Sequence, residues 1–122
     1  MPRVLKLRKG WEFRAIFRTG TRTNGELVRL LFVRDDKDTG TVRYGVAVGK
    51  KQGKAHVRVR GRRILREAFR PLSDKITPGI SMVLTLKNEG LSAKTQDIQR
   101  DLERLFSRKK LLQSHKCSPA SQ

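Results

Sequence analysis

Apolar residues recur along the chain with two periods, and each change of period marks a new element. Between Trp11 and Arg18, the residues Phe13, Ile16 and Phe17 fall three and four positions apart. That spacing lines one face of a short helix, and Gly20 stands where such a helix would stop. Glu26 to Arg34 (ELVRLLFVR) and Thr41 to Val48 (TVRYGVAV) are rich in β-formers, and the intervening Asp35 to Gly40 (DDKDTG) has the composition of a turn. Together they predict an antiparallel hairpin. In the second run Val42, Tyr44, Val46 and Val48 point one way, while Arg43, Gly45, Ala47 and Gly49 point the other. The second of these faces has so little bulk that a helix or a ligand backbone can come close to it.

Helical periodicity returns in Gly53 to Arg70 (GKAHVRVRGRRILREAFR), where Val57, Ile64, Leu65 and Ala68 share a stripe whose gap is filled by Gly61. Pro71 ends this helix, and Thr77, Pro78 and Gly79 form a turn signal before the apolar run Ile80 to Leu86 (ISMVLTL), which reads as a third and central strand. Ile98, Leu102, Leu105 and Phe106 predict a last helix, with Ser92 or Thr95 as its N-cap. The periodicity is lost from Ser107 onward, so the expected organisation is a single domain of residues 1–110 and a flexible tail of residues 111–122. The order helix, strand, strand, helix, strand, helix, with a short extra strand before Glu26 left open, predicts an α+β fold. It would be a small two-layer α/β sandwich, one sheet with helices gathered on a face.

Composition changes this picture by adding a partner. The chain has 122 residues, enough for one ordinary core, and a formal charge of +18. Repulsion on that scale works against the compact state, and a polyanion relieves it. A membrane is not the expected partner, because no apolar run approaches the roughly 20 residues that a span requires. The N-terminal MPRVLKLRKGWEFRAIF lacks the apolar core of a secretory signal, and the lone Cys117 cannot form an internal disulfide. The expected location is therefore the cytoplasm.

Residues for independent catalysis are scarce. The only histidines are His56 and His115, and His56 precedes a helix in cationic surroundings, where a plain exposed residue is the simplest reading. Asp35, Asp36 and Asp38 cluster in a loop, where they either hydrate a turn or ligate a divalent ion. No phosphate-binding loop, metalloprotease motif or zinc spacing is present. The polypeptide is not expected to make or break bonds alone.

What the chain does carry is arginine. Arg58, Arg62 and Arg66 repeat every four positions, Arg63 and Arg70 flank the single acid Glu67, and Lys54 and Arg60 add to the same helix. Glu67 is expected to support the helix through those two arginines, while the remaining cations repel one another unless phosphates sit against them. Arginine suits bidentate phosphate contact and base stacking. With no motif for reading a DNA major groove, RNA recognised by shape and backbone is the expected ligand.

The run GVAVGKKQGKAHVRVRGRRILREAFR (Gly45 to Arg70) resembles the signature region of the bacterial ribonuclease P protein subunit. The resemblance extends to the early Phe13-Arg14-Ala15-Ile16-Phe17 with Gly20, and to the closing Asp101-Leu102-Glu103-Arg104-Leu105-Phe106, so that it covers roughly residues 5 to 110. It implies a sandwich with a left-handed crossover and a role in removing the 5′ leader from precursor tRNA. The catalytic ribonuclease P RNA would perform the hydrolysis, with Mg²⁺ bound mainly by that RNA and no protein partner required. Carried over by position, Lys50, Lys51, Lys54, Arg58, Arg60, Arg62, Arg63, Arg66 and Arg70 would face RNA, and Phe13 and Phe17 would line the leader cleft. Core packing predicts the same periodicity for both phenylalanines. The family's Arg-Asn-Arg reads Arg58-Val59-Arg60 here, followed by Gly61 in place of an apolar residue. Val59 cannot supply the amide. The glycine weakens an isolated helix by about 1 kcal/mol relative to alanine, but allows closer approach to a sheet. The alternative reading is a non-catalytic ribosomal or ribosome-assembly RNA-binding protein.

Overall fold

The most apolar run of the chain takes the one position in the sheet with two neighbours on each side. A computed structural model describes residues 3–34, 40–49 and 53–112. Its elements are β1 (Arg3–Lys6), α1 (Gly10–Thr19), β2 (Thr21–Asn24), β3 (Val28–Arg34), β4 (Thr41–Ala47), α2 (Ala55–Phe69), β5 (Ile80–Leu86) and α3 (Thr95–Arg108). Short 3₁₀ turns cover Arg70–Lys75 and Asn88–Ser92. Among the described residues the strands form one five-stranded sheet in the order β1-β4-β5-β3-β2.

This order overturns the expected hairpin. β3 and β4 do not pair with each other; β5 lies between them, antiparallel to β3 and parallel to β4. The turn-like loop indicated where the chain reverses but not what it returns to. The parallel β4–β5 pair needs a long crossover, and α2 lies in that connection. The strand left open before Glu26 is β2, antiparallel to β3. The four residues of β1, too short to show a period, pair in parallel with β4 at the opposite edge.

One face of the sheet carries the main core. Val28, Leu30, Phe32, Val42, Val46, Ile80, Met82, Leu84 and Leu86 meet Ile64, Leu65, Ala68 and Phe69 of α2 and Ile98, Leu102, Leu105 and Phe106 of α3. Phe69 sits at its centre, with ring centroids 4.6 Å from Tyr44 and 6.0 Å from Phe106. α2 and α3 thus gather on one face as expected. The opposite face carries α1 over a smaller cluster of Leu7, Ile16, Leu31 and Val83.

Two local expectations fail. The N-cap of α3 is Lys94, with no side-chain cap, in place of Ser92 or Thr95. The loss of periodicity at Ser107 does not mark the end of packed structure either, because α3 runs to Arg108, Leu111 is fully buried and Leu112 bridges Ile76. Asp101 has a role that its place in the closing helix did not reveal. Its buried carboxylate accepts the backbone N–H groups of Leu27 (2.8 Å), Val28 (3.0 Å) and Glu26 (3.3 Å), which fixes the β2–β3 turn against α3. Gly25 faces that carboxylate so closely that any side chain at position 25 would collide with it.

Candidate nucleic-acid interface

The site is built from the small face of β4 upward. Gly45 lies under α1, and a Cβ placed on it would come within 2.5 Å of two ring carbons of Phe13. The absence of a side chain is what lets the helix settle on the strand. Phe13 is therefore half-buried against the sheet with Ile16. The start of α1 is fixed by Glu12, whose Oε1 accepts the N–H groups of Lys9 (3.0 Å) and Arg8 (3.1 Å). Those two backbone bonds, the one from Lys9 first, hold its carboxyl below the usual range, helped by the nearby Arg43 and Lys9 charges.

Phe17, one turn further along α1, is 42% exposed. It overhangs a groove of about 330 Å³ whose other walls include Arg22, Arg29, Leu31, Ala47, Val48, Gly49, Thr85 and Leu86. Strand register explains this set. Arg29, Thr85 and Ala47 lie side by side across β3, β5 and β4, and Arg22 opposes Leu31 in the adjacent row. Arg29 is oriented by its Nε, which donates to Asn24 Oδ1 at 3.0 Å. The structure thus separates the two phenylalanines, with Phe17 in the groove wall and Phe13 seated on Gly45.

Arg22 and Arg29 were not among the residues singled out from sequence. The signal was available only in part: Arg29 alternates with the core residues Val28 and Leu30, but Arg22 joins it only once β2 is paired with β3.

On the other side of the sheet, α2 presents the arginines. Gly61 is buried, and a Cβ there would stand 3.1 Å from Val48 and 3.2 Å from Leu86. These two residues also line the groove, so the helix and the groove meet through them. Lys54 is the exposed N-cap of α2; Arg60, Arg63, Arg66 and Arg70 are exposed, and Arg58 and Arg62 are half-buried along its flank. Among the described residues no ion pair joins Glu67 to Arg63 or Arg70, so the expected internal support is not made. Arg58 Nε is enclosed and, among the described residues, has no hydrogen-bond partner. Val59 is 50% exposed in the midst of these cations. Lys50 and Lys51 lie outside the described residues, as do Asp35, Asp36 and Asp38.

Among the described residues no three of His, Cys, Asp and Glu gather as a metal site, and His56 is exposed in the first turn of α2. The described surface, rich in exposed arginine and lysine, suits an anion. No described helix is long and apolar enough to cross a membrane.

Comparison with known proteins decides the family. The family model described as Ribonuclease P matches residues 1–110. The chain belongs to the ribonuclease P protein family. It is 30% identical over 115 residues to the ribonuclease P protein component of Oceanobacillus iheyensis, with 93% of each chain covered. The solved RNase P protein of Thermotoga maritima superposes with a TM-score of 0.72 at 27% identity, covering 84% of this chain and 96% of that one. The RNase P protein of Staphylococcus aureus gives a TM-score of 0.74 at 22% identity over 88% and 97%, which supports the shared fold. As a ribonuclease P protein component, the chain is a subunit of an RNA-processing enzyme and a partner of ribonuclease P RNA. The ribosomal alternative has no such support.

Proposed function

We propose that this subunit positions precursor tRNA on the catalytic RNA by holding the single-stranded 5′ leader in the groove under Phe17, while the arginines of α2 dock on the RNA. The observation that carries this reading is the groove itself, an open aromatic ring beside two arginines, continuous through Val48 and Leu86 with the basic helix. An unpaired base stacked on an aromatic ring gains about 1–3 kcal/mol whatever its identity, and Arg22 and Arg29 supply charge for the flanking phosphates. The leader is present in the precursor and absent from the mature product, so these contacts favour substrate over product.

Arg58 and Arg62 are only half-buried on the flank of α2, so part of each side chain stays open to phosphates. The hydrolysis and its Mg²⁺ are assigned to the RNA, since the described protein surface is cationic. Cations on the protein relieve phosphate repulsion that divalent ions would otherwise have to screen, so the subunit lowers the Mg²⁺ needed for substrate binding.

The test is cleavage of precursor tRNA by ribonuclease P RNA at low Mg²⁺, with and without the protein. Turnover should rise with protein, and Phe17→Ala should weaken binding of precursor by about fivefold or more while leaving mature tRNA binding unchanged. No rise at any salt concentration would refute the assignment. Equal losses for precursor and mature tRNA would return Phe17 to a packing role.

A further inference from the structure

α1 has a second face that the groove does not use. Phe13, Ile16 and Phe17 point toward the sheet, and Trp11, Ala15 and Arg18 share the side turned away from it, with Arg14 beside them. Trp11 is 60% exposed, the most exposed large apolar side chain among the described residues. Its surroundings are cationic. Arg8, Lys9, Arg14 and Arg18 are all exposed, and the only acid of the helix, Glu12, is turned back onto the N–H groups of Arg8 and Lys9. The Arg14 side chain folds toward the start of the helix, its Nη1 coming to 3.2 Å from where a Cβ on Gly10 would stand. Among the described residues neither Arg14 nor Arg18 makes an ion pair or side-chain hydrogen bond. Ala15, one turn beyond Trp11, leaves the indole without a bulky neighbour on that side.

A tryptophan held in water by an otherwise well-packed domain is costly in apolar exposure, and the cations around it disfavour a second copy of the same positive surface. An aromatic plate among free arginines has the chemistry of a stacking platform for a base between phosphates. We propose that the outer face of α1 is a second RNA-binding site, in which an unpaired nucleobase stacks on Trp11 while Arg14 and Arg18 neutralise the neighbouring phosphates. The site lies on the opposite side of α1 from the leader groove, so the helix would be gripped by RNA on both faces.

Trp11 is the one tryptophan of the sequence, so its emission reports on this site alone. The full chain is titrated with a short oligoadenylate and, separately, with ribonuclease P RNA, while the anisotropy of a labelled copy of each RNA follows total binding. Stacking predicts that indole emission is quenched in step with binding, and that Phe17→Ala leaves this quenching in place. Trp11→Ala should weaken the anisotropy-detected affinity about fivefold or more, Trp11→Phe should retain part of it, and Arg14→Ala with Arg18→Ala should raise the RNA concentration needed for quenching. Saturating binding with unchanged indole emission would overturn the proposal, and so would equal affinity for Trp11→Ala. Self-association of the free protein that Trp11→Ala abolishes would also overturn it, by assigning the face to a second copy. Whether cleavage is stimulated is a separate measurement, so failure of the leader-groove reading and failure of this one are distinguishable.

Discussion

Replacing Gly45 with alanine should be a more severe change than a single methyl group suggests. An alanine Cβ would meet Phe13 Cε1 and Cζ at 2.5 Å and Leu7 Cδ1 at 3.2 Å. Carbon atoms rest at about 3.5–4.0 Å, so the ring must retreat by about 1 Å or more. It has little freedom to do so alone, because Ile16 on the same face of α1 is buried against Leu31 and Val83. The helix must lift as a unit or Phe13 must leave its rotamer, and overpacking of this kind costs about 1–3 kcal/mol. A strand glycine is otherwise worth less than alanine by about 0.5–1 kcal/mol, so the sign of the effect is itself diagnostic. In urea, where m for a small domain is about 1–3 kcal/mol/M, the midpoint should fall by about 1 M. Phe13→Leu removes the ring carbons that collide, so the double variant should recover part of the loss, with a coupling of about 1 kcal/mol or more. Lifting α1 also displaces Phe17 from the groove, so the leader binding proposed for that groove should weaken together with stability. A Gly45→Ala protein as stable as the parent, with effects that simply add to those of Phe13→Leu, would refute the close-approach argument.

Asp101→Ala should destabilise by about 3–5 kcal/mol, since two short charge-assisted bonds are lost and the buried Val28 N–H is orphaned; Glu103→Ala, exposed on the same helix, should change stability by less than about 0.5 kcal/mol in the same urea experiment. Glu12 predicts a pH dependence. Its folded-state pKa lies below the ordinary value of 4.5, so its stabilisation is fully present above that value and is lost as pH falls through the folded pKa, and Glu12→Gln should flatten the melting temperature profile in that acid window. Arg58→Ala with Arg62→Ala should weaken assembly with ribonuclease P RNA and reduce the slope of log affinity against log salt by about one to two. An unchanged slope would mean that this flank of α2 does not meet phosphate.

Much of this protein could be read without coordinates because individual elements carry their own burial pattern. The stripe of Val57, Gly61, Ile64, Leu65 and Ala68 is sufficient to make α2 a helix and to say which side it buries, and the arginines are then left outside by geometry. The alternation of Arg43, Gly45 and Ala47 likewise announced a strand face that something would approach, and α1 does so. The resemblance to the ribonuclease P protein subunit rested on such local features in their order, and the family match agrees with it. The pairing of strands was not legible. β3 and β4 have the signals of a hairpin, yet both pair with β5, whose run ISMVLTL is the most apolar of the strands. That choice depends on a segment some forty residues further on, and no local period records it.

The groove depended on the same decision. Arg22 and Arg29 come together beside Phe17 only when β2, β3, β5 and β4 lie in their actual order and register. Phe13 and Phe17, identical in period, are separated by where Gly45 happens to sit beneath the helix. Asp101 looked like one more charge on an amphipathic helix until the β2–β3 turn closed over it. The sequence by itself determined which surfaces are apolar, which are cationic and where the chain changes direction, because those properties follow from neighbours a few residues away. Only the tertiary structure decided which surfaces meet, because a contact between distant segments is chosen by the packing of the whole domain.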